Sequence, residues 1–424
     1  MNRTSFKNGF FRKTVLKNGL RVITEKIPSV RSISIGIWID VGSRNEKPNE
    51  NGLSHFIEHM VFKGTGKRNV KQIAASLESL GGSLNGFTSR EHTCYIARVL
   101  DEYLDEAVDV LADLTCNATF KTTHMKREAL VICEEIKEVF DNPSDRVHDL
   151  FSKTYWGKDP LGQPIMGSST VLLNMTRSRL LDFYKRHYVA GAVVVAACGS
   201  VSHNRLVKLV EDKFSFAELP SEPEPAAQRS REKDVKVVRI RNKQAHLCLG
   251  FPGVGYTDDM KLAAQALNVY LGDGMSSVLF QKIREERGLA YSVYTYNDHY
   301  RDSGVFGVYL GTDDRQLRRA FELILKELKL AKKKKISDSL LEQIKAQLKG
   351  NLILGMESTS GRMSRIARQE LIDGRYQTIK QLLNKINRLS GSDILDVANR
   401  ILDDSRMAVT ALGPVSRDIF SDVG

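Results

Sequence analysis

Several classes of protein are excluded by what this chain lacks. The cysteines are few, odd in number and widely spread: Cys94, Cys116, Cys133, Cys198 and Cys248. They include no Cys-x-x-Cys pair, which argues against a disulfide scaffold and a thiolate metal site and favours a reducing compartment. No stretch approaches the ~18 uninterrupted apolar residues of a membrane-spanning helix. Residues 1–13 contain basic side chains but no apolar core of ~7–15 residues, so no secretory signal is predicted.

Signs of nucleic-acid binding are also scarce, although the net charge is +12. The densest basic run, 326–335, has no interleaved aromatic residues and no recognisable binding motif. We interpret this run as the solvated end of a helix and predict no nucleic-acid partner. The content of 42% hydrophobic and 27% charged residues is ordinary for a folded protein, and a length of 424 residues indicates two or more domains.

The most informative segment that is present is His55-Phe56-Ile57-Glu58-His59. Residues four apart lie on one face of a helix, so both imidazoles can give a nitrogen to one Zn²⁺. The order His-x-x-Glu-His is the inverzincin signature of zinc peptidases. The alternative is a solvated polar face, but the apolar residues in and after the motif indicate a mostly buried helix. Burying imidazoles and a carboxylate without partners would be costly, which favours a zinc site with Glu58 as the base.

A catalytic zinc site needs a third protein ligand, which spacing alone does not identify. The predicted helix 123–140 offers two pairs of acidic residues. Glu128 and Glu135 are seven residues apart and therefore share one face, close to isoleucines. Glu134 and Glu138 share another face, which we interpret as a solvated charged edge. From the helical pattern alone, a functional and a surface role stay open for Glu128 and Glu135.

The two halves of the chain repeat a similar pattern. A first domain at 1–219 and a second at 233–424 are predicted, with a Pro- and Glu-rich linker at 220–232 between them. Residues 271–275 stand at the position of the histidine motif and contain no metal ligands. One zinc site per chain is therefore expected, in the first domain.

Helices of the second half support this repeat. They are predicted at 261–271, 317–332, 339–356 and 364–371. The helix at 339–356 and the polar segment after it echo the helix at 123–140 and the segment that follows it. The offset is about half the chain, which indicates two copies of one α+β unit.

Further segments extend the histidine motif into a family resemblance. The matching stretches are 18–22, 35–44, 52–60, 81–91 and 279–292. Over nearly its whole length the chain resembles the pitrilysin-like, or inverzincin, zinc metallopeptidases. Among them it is similar in size to the β subunit of mitochondrial processing peptidase and its short bacterial relatives. The chain departs from the family pattern at Gly86, where Ala is frequent, and at Glu128-Ala129, where Glu-Arg is frequent.

The resemblance implies a role for each residue of the site. Glu135 would join His55 and His59 as the third ligand of one Zn²⁺. Glu58 would be the general base, and Glu128 a catalytic auxiliary carboxylate that orients a ligand or the water.

The resemblance also implies four substrate contacts. Asn85 and Phe87 would lie on an edge strand to which a peptide adds as an extra strand, with a core aromatic as the open alternative for Phe87. Arg284 would hold a peptide carbonyl, and Tyr291 would donate to a developing oxyanion. Without the resemblance, a surface Arg and a packed Tyr on an amphipathic helix are the simpler interpretation.

The fold class implied by the resemblance is α+β, with two homologous domains that each have a mostly antiparallel sheet covered by helices, half of the family's clamshell. The implied function is a zinc metalloendopeptidase acting on peptides or unfolded segments in an enclosed dimer chamber. The dimer would be a homodimer or a heterodimer with a paralogue, with Arg284 and Tyr291 reaching the zinc site of the partner chain.

Two other functions and two compartments stay open in the sequence. The alternative functions are a presequence-processing peptidase subunit and a non-catalytic scaffold subunit of a larger complex. The expected compartment is the bacterial cytoplasm, with the mitochondrial matrix as the alternative. A transit peptide has little room, because the first family-like strand begins near Thr14.

Overall fold

The computed structural model describes residues 4–8, 10–221 and 234–423, which form twelve strands and fourteen α-helices. The strands are β1 (Thr4–Asn8), β2 (Phe11–Val15), β3 (Arg21–Lys26), β4 (Ser32–Ile39), β5 (Ser83–Thr88), β6 (Thr93–Leu100), β7 (Val193–Gly199), β8 (Asp234–Arg239), β9 (Ala245–Pro252), β10 (Ser292–His299), β11 (Gly304–Thr312) and β12 (Ala408–Gly413). The first helices are α1 (Leu53–Val61), α2 (Val70–Glu78), α3 (Leu104–Asn117), α4 (Thr122–Asp141), α5 (Pro143–Trp156), α6 (Ser169–Leu173), α7 (Arg177–His187) and α8 (His203–Lys213). The remaining helices are α9 (Lys261–Leu271), α10 (Leu317–Ala331), α11 (Asp338–Gly355), α12 (Thr359–Ile372), α13 (Ile379–Arg388) and α14 (Gly391–Ile401).

The first sheet has seven strands in the order β1-β2-β3-β7-β4-β6-β5. β3 and β7 run parallel, and the other neighbouring strands are antiparallel. In the centre of the sheet, Gly36 of β4 lies opposite Ala196 of β7 and Ile96 of β6. β5 pairs only with β6 among the described strands, so one side of its backbone is open to a further strand.

Period-two alternation lets this sheet bury both faces. One face of β4 enters a large core that also includes side chains of α1, α3, α7 and α8, through Ile33, Ile35, Ile37 and Ile39. Trp38 points to the opposite face and packs there with Met363 of α12. A Cβ atom on Gly36 would lie 2.8 Å from the sulfur of Met363, so glycine permits this close approach of the helix. The helix layer therefore covers one face, and α12 covers part of the other.

The second sheet repeats the topology of the first. Its order is β10-β11-β9-β12-β8, with β8 and β12 parallel and the other neighbours antiparallel. In the first sheet, the strands β3, β7, β4, β6 and β5 have the same order, with the parallel pair at the same place. The predicted fold class, α+β with two similar helix-covered and mostly antiparallel sheets, is thereby confirmed.

Each unit of the structure takes one helix from the other half of the sequence. The described residues within Met1–Ile136, Gln163–Pro225 and Leu354–Tyr376 form the first unit, which includes α12. Those within Lys137–Gly162, Ala226–Ile353 and Gln377–Gly424 form the second, which includes α5. α5 packs there on β9 and β12. The domain boundaries predicted at 219 and 233 stay a prediction, and nearly all of the linker 220–232 lies outside the described residues.

Among the helices that the structure describes, none combines the length and the apolar character needed to cross a bilayer.

Candidate metal centre

The histidine motif forms helix α1, which is anchored at its first turn. Gly52 precedes the helix in the left-handed region, with φ of 96°, where glycine is favoured. The carboxylate of Glu46 accepts hydrogen bonds from the backbone N–H groups of Gly52 and Ser54, both at 2.7 Å, and from the amide of Asn51 at 3.2 Å. A negative charge at this end of a helix is stabilised by the unpaired N–H groups and the helix dipole. Glu46 therefore fixes the start of the helix that carries the motif.

The apolar and polar faces of α1 separate as the spacing predicts. Phe56, Ile57 and Met60 are buried in the core of the first unit. His55 and His59 project from the other face and are half-buried, with their rings 4.5 Å apart between centroids. This burial holds the two imidazoles in place while leaving them accessible on one side.

Helix α4 brings the third candidate ligand to the histidines. The carboxylate oxygen Oε2 of Glu135 lies 3.9 Å from Nε2 of His55 and 3.7 Å from Nε2 of His59. One donor atom from each of the three residues lies within 4.8 Å of the other two. Ligands bound tetrahedrally at ~2.0–2.2 Å would lie roughly 3.3–3.6 Å apart, so this donor set fits a zinc ion after small side-chain movements.

Glu128 is not one of the three candidate ligands, but it contacts His59 and orients its ring. Its buried Oε1 accepts a hydrogen bond of 3.0 Å from Nδ1 of His59, which directs Nε2 toward Glu135. The ammonium group of Lys63 lies 2.9 Å from the same oxygen. A carboxylate that holds the second ring nitrogen of a metal-binding histidine fixes its tautomer and orientation. By contrast, Nδ1 of His55 is buried and has no hydrogen-bond partner among the described residues.

The surroundings move the pKa values of the two histidines in opposite directions. Burial, followed by the positive charge of His59, lowers the pKa of His55 to about 4, so its ring is neutral near pH 7. Burial alone would also lower the pKa of His59, but the hydrogen bond to Glu128 and the charges of Glu135 and Glu58 outweigh it and raise that pKa. The carboxylates of Glu128, Glu135 and Glu58 therefore favour positive charge beside His59, while His55 offers a neutral ring nitrogen.

Glu58 occupies the position of a base beside this cluster. Thr88 of β5 donates a hydrogen bond of 2.6 Å to its Oε2. Burial raises the pKa of Glu58, against the lowering effects of Thr88 and His59. Gly86 of the same strand faces Glu58, and a Cβ atom there would lie 3.1 Å from its Cγ. The open edge strand thus runs directly beside the carboxylate.

The predicted contacts on β5 lie on the other face of that strand. Because side chains alternate along a strand, Asn85 and Phe87 point away from Glu58. The ring of Phe87 packs 5.5 Å from that of Trp38, in the cluster beneath α12. Asn85 is exposed, and its Oδ1 accepts a hydrogen bond of 2.8 Å from the N–H of Gly86. Their role as substrate contacts stays a prediction.

Arg284 and Tyr291 belong to the second unit. Arg284 lies in a π-helical turn, Phe280–Glu285, with its guanidinium 4.8 Å from the centroid of the Phe280 ring. Tyr291 is 45% exposed and packs over Gly311, where a Cβ atom would lie 2.5 Å from the phenol oxygen. Both side chains are accessible in this unit, and their action on substrate stays a prediction.

Three residues of the centre were missed by reasoning from the sequence. Thr88 contacts Glu58 across 30 residues of sequence, for which the chain carries no short-range signal. Glu46 lies six residues before Gly52, which is outside the usual spacing of a helix cap. Lys63 follows His59 by four residues, so helical spacing could have placed it on the face that meets Glu128.

Comparison with known proteins identifies the family. The model for Insulinase (Peptidase family M16) matches residues 21–169, and that for Peptidase M16 inactive domain matches 174–348. A Streptomyces coelicolor protein named as an uncharacterized zinc protease is 39% identical over 415 residues, which cover 96% of this chain and 90% of the relative. A Bacillus subtilis protein with the same description is 39% identical over 393 residues, covering 93% and 96%.

Solved structures show the same fold. A protease from Helicobacter pylori superposes with a TM-score of 0.88 at 23% identity, covering 97% of this chain and 99% of the other. A Pseudomonas fluorescens protein described as a peptidase M16 inactive domain gives a TM-score of 0.86 at 19% identity, covering 98% of each chain. The resemblance predicted from the sequence is confirmed, and the chain belongs to the insulinase family of peptidases, family M16.

Proposed function

We propose that this chain is a zinc metalloendopeptidase in which His55, His59 and Glu135 hold the metal. The observation that carries the proposal is the convergence of these three side chains within 4.8 Å, beside the carboxylate of Glu58. Two imidazole nitrogens and one carboxylate oxygen are a donor set of catalytic zinc sites, which keep a fourth position open. The description of the bacterial relatives as zinc proteases supports zinc as the metal.

In the proposed reaction, Glu58 moves the proton. Zinc at this site would polarise the scissile carbonyl and lower the pKa of the attacking water toward ~7. Oε2 of Glu58 is held by the Thr88 hydroxyl, which leaves Oε1 to accept the proton of the water. The raised pKa of Glu58 suits a group that must take this proton and then give it to the leaving amine. Glu128 keeps His59 oriented throughout the cycle.

The edge of β5 supplies the proposed place for substrate. A peptide that adds to this edge as an extra strand would run past Gly86, whose missing side chain leaves room beside Glu58. Such a peptide would take over the N–H of Gly86 from the side chain of Asn85. Because this recognition uses the backbone, it suits peptides and unfolded segments of varied sequence.

The proposed enzyme is a dimer in which two chains form an enclosed chamber. In it, Arg284 and Tyr291 of each chain would act on substrate at the metal centre of the partner chain. A guanidinium can hold a peptide carbonyl, and a phenol can donate to the developing oxyanion. Support for this step comes from the family and from the accessibility of the two side chains in their own unit.

The Glu58→Gln variant tests the proposed function. We expect it to retain zinc at the wild-type level and to lose at least ~100-fold in peptide turnover, because an amide cannot take the proton. The measurement is metal analysis of the purified protein together with a peptide digest followed by mass spectrometry. Glu134→Gln, which removes an exposed carboxylate of the same region, is the control and should keep full turnover. Turnover near the wild-type level in Glu58→Gln would refute the base assignment.

A further inference from the structure

A basic cavity of about 420 Å³ lies in the first unit, and its wall includes Lys63, the ion-pair partner of Glu128. It is formed by the segment that follows α1, the start of α2 and the start of α4. Its lining residues include six with basic side chains: Lys63, Lys67, Arg68, Lys71, Lys121 and His124. No carboxylate is among the lining residues of this cavity.

Two of these cations already form ion pairs with carboxylates that are not part of the cavity lining. The guanidinium of Arg68 pairs with Asp113 at 2.7 Å and with Asp109 at 2.5 Å. The ammonium group of Lys63 pairs with Glu128 at 2.9 Å. These pairs hold Arg68 and Lys63 in place in the wall of the cavity.

The positive charges of the other three lysines are not balanced by ion pairs. Lys67, Lys71 and Lys121 are exposed, and none forms an ion pair with a described residue. Like charges that share one concave surface repel each other and concentrate a positive potential there. An anion in the cavity would relieve this repulsion.

The loop that carries Lys67 is held in a defined conformation. The hydroxyl of Thr65 accepts hydrogen bonds from the backbone N–H groups of Lys67 and Arg68, at 3.1 and 2.8 Å. Asn69 then caps α2 by accepting from the N–H of Gln72 at 3.0 Å. A fixed loop loses less conformational entropy on binding, so the backbone that carries Lys67 needs no ordering when a ligand binds.

We propose that this cavity binds an anionic group, a carboxylate or a phosphate, through the ammonium groups of Lys67, Lys71 and Lys121. The anion has two possible sources, an acidic side chain of a bound peptide or free inorganic phosphate. As a subsite for acidic peptides, the cavity rests on the proposed peptidase function; as a phosphate site, it is independent of that function.

The position of the cavity links it to the metal centre. Lys63 contributes to the cavity wall and contacts Glu128, which in turn orients His59. His124 lies one helical turn before Glu128 on α4. An acidic side chain of a peptide held here would therefore tether that peptide close to the metal ligands.

Direct binding of inorganic phosphate is the first test, measured by isothermal titration calorimetry on the full chain. We expect the combined Lys67→Ala, Lys71→Ala and Lys121→Ala variant to bind phosphate at least about tenfold more weakly than the wild type. The matched control changes three exposed lysines elsewhere in the same unit, Lys17, Lys26 and Lys208, to alanine. It has the same net charge and should bind phosphate like the wild type, with equal zinc content in all three proteins.

A pair of peptides that differ only by Glu or Gln beside the cleavage site is the second test. With the wild type and the control variant, we expect a KM several-fold lower for the Glu peptide at equal kcat, which is the signature of uniform binding. The cavity variant should lose this preference.

The results separate the two sources and the two proposals. A phosphate effect without a peptide effect identifies a site for free phosphate, and a lost peptide preference identifies a substrate subsite. If the cavity variant matches the control in both tests, the anion site is refuted. If no protein cleaves either peptide, the peptidase function fails, while the phosphate titration still decides the anion site.

Discussion

Glu134 and Glu135 are neighbours in sequence, but helix α4 places their carboxylates in different surroundings. Glu135 is half-buried and faces the two histidines at 3.7 and 3.9 Å, whereas Glu134 is exposed. A rotation of about 100° per residue around a helix is sufficient to separate them. At the scale of single residues, this difference decides which acid can complete the metal centre.

The Glu135→Gln variant should therefore bind zinc much more weakly than the wild type. Loss of an orienting residue around a metal ligand typically costs 10–100-fold in affinity, so loss of a ligand should cost at least about 100-fold. The measurement is a competition titration with a chromophoric chelator. Glu134→Gln is the matched control and should keep the wild-type affinity. The opposite ranking of the two variants would move the third ligand by one residue.

The sequence predicted these residue roles to different degrees. The spacing of His55 and His59 is local and follows from helix geometry, so the sequence predicts their convergence directly. Glu135 is 76 residues beyond His59 in the sequence, and only the family resemblance selected it from the acids of α4. Thr88 of strand β5 approaches Glu58 of helix α1, and no periodicity within either segment predicts that contact.

At the scale of elements, local patterns located helices well but not all of their ends. The helix predicted at 261–271 is α9, Lys261–Leu271, and that predicted at 339–356 is α11, Asp338–Gly355. The helix predicted at 364–371 begins five residues earlier, at Thr359, because Ser358 acts as its N-cap and accepts from the N–H of Gly361 at 2.9 Å. Residues typical of a turn thus begin the helix.

The packing of α12 on the first sheet could not be predicted from its own sequence. Its apolar face fits any complementary surface, and the choice depends on contacts more than 300 residues apart, such as Trp38 with Met363 at 3.1 Å. Arg362 and Arg365 add ion pairs of 2.9 and 2.7 Å to the buried carboxylate of Glu25. A buried charge without these partners would be costly, so the pairs specify where α12 docks.

The N-terminus of α1 gives a prediction at this scale, through Glu46. Glu46 is 2% exposed, and burial raises its pKa to about 7, against hydrogen bonds from Ser54, Gly52 and Asn51 that lower it. A carboxyl whose pKa is higher in the folded than in the unfolded state, near 4.5, stabilises most below pH 4.5. This contribution is lost as pH rises through 7.

We therefore expect the free energy of unfolding of the wild type, relative to Glu46→Gln, to fall as pH rises from 4.5 to 8. The change should reach up to about 3 kcal/mol, at about 1.4 kcal/mol per pKa unit. Urea denaturation at several pH values measures it, with Glu78→Gln, an exposed acid of α2, as the control for loss of one carboxylate. If the free energy of unfolding of the wild type relative to Glu46→Gln rises with pH instead, the hydrogen bonds from Ser54, Gly52 and Asn51 hold Glu46 fully ionised.

At the scale of the whole molecule, the two sheets of the chain share one topology. The five strands β8, β9, β10, β11 and β12 repeat the order and directions of β3, β4, β5, β6 and β7. One copy carries the histidines on α1, while α9, the helix between the corresponding strands β9 and β10 of the other, contains no histidine and no carboxylate. The second copy is thus free to specialise, and Arg284 and Tyr291 are its proposed contribution to substrate binding.

If each chain of a dimer completes the site of its partner, two variants with different defects should restore activity when they are mixed. Glu58→Gln and Tyr291→Phe should each be poorly active alone, because one loses the base and the other the phenol donor. After subunit exchange in a mixture, the mixed dimers contain one intact site, and about a quarter of the wild-type activity should return. Peptide turnover of the mixture, together with light scattering, measures this. No recovery despite proven exchange, or a fully active monomer, would contradict the shared site.

The proposed metal centre binds one zinc ion through His55, His59 and Glu135. Anomalous diffraction from a crystal, measured on both sides of the zinc absorption edge, tests it most directly. We predict one peak per chain, ~2.0–2.2 Å from a ring nitrogen of each histidine and from a carboxylate oxygen of Glu135. A zinc-loaded, proteolytically active crystal whose anomalous peak lies on other residues, with these three side chains pointing apart, would contradict the account.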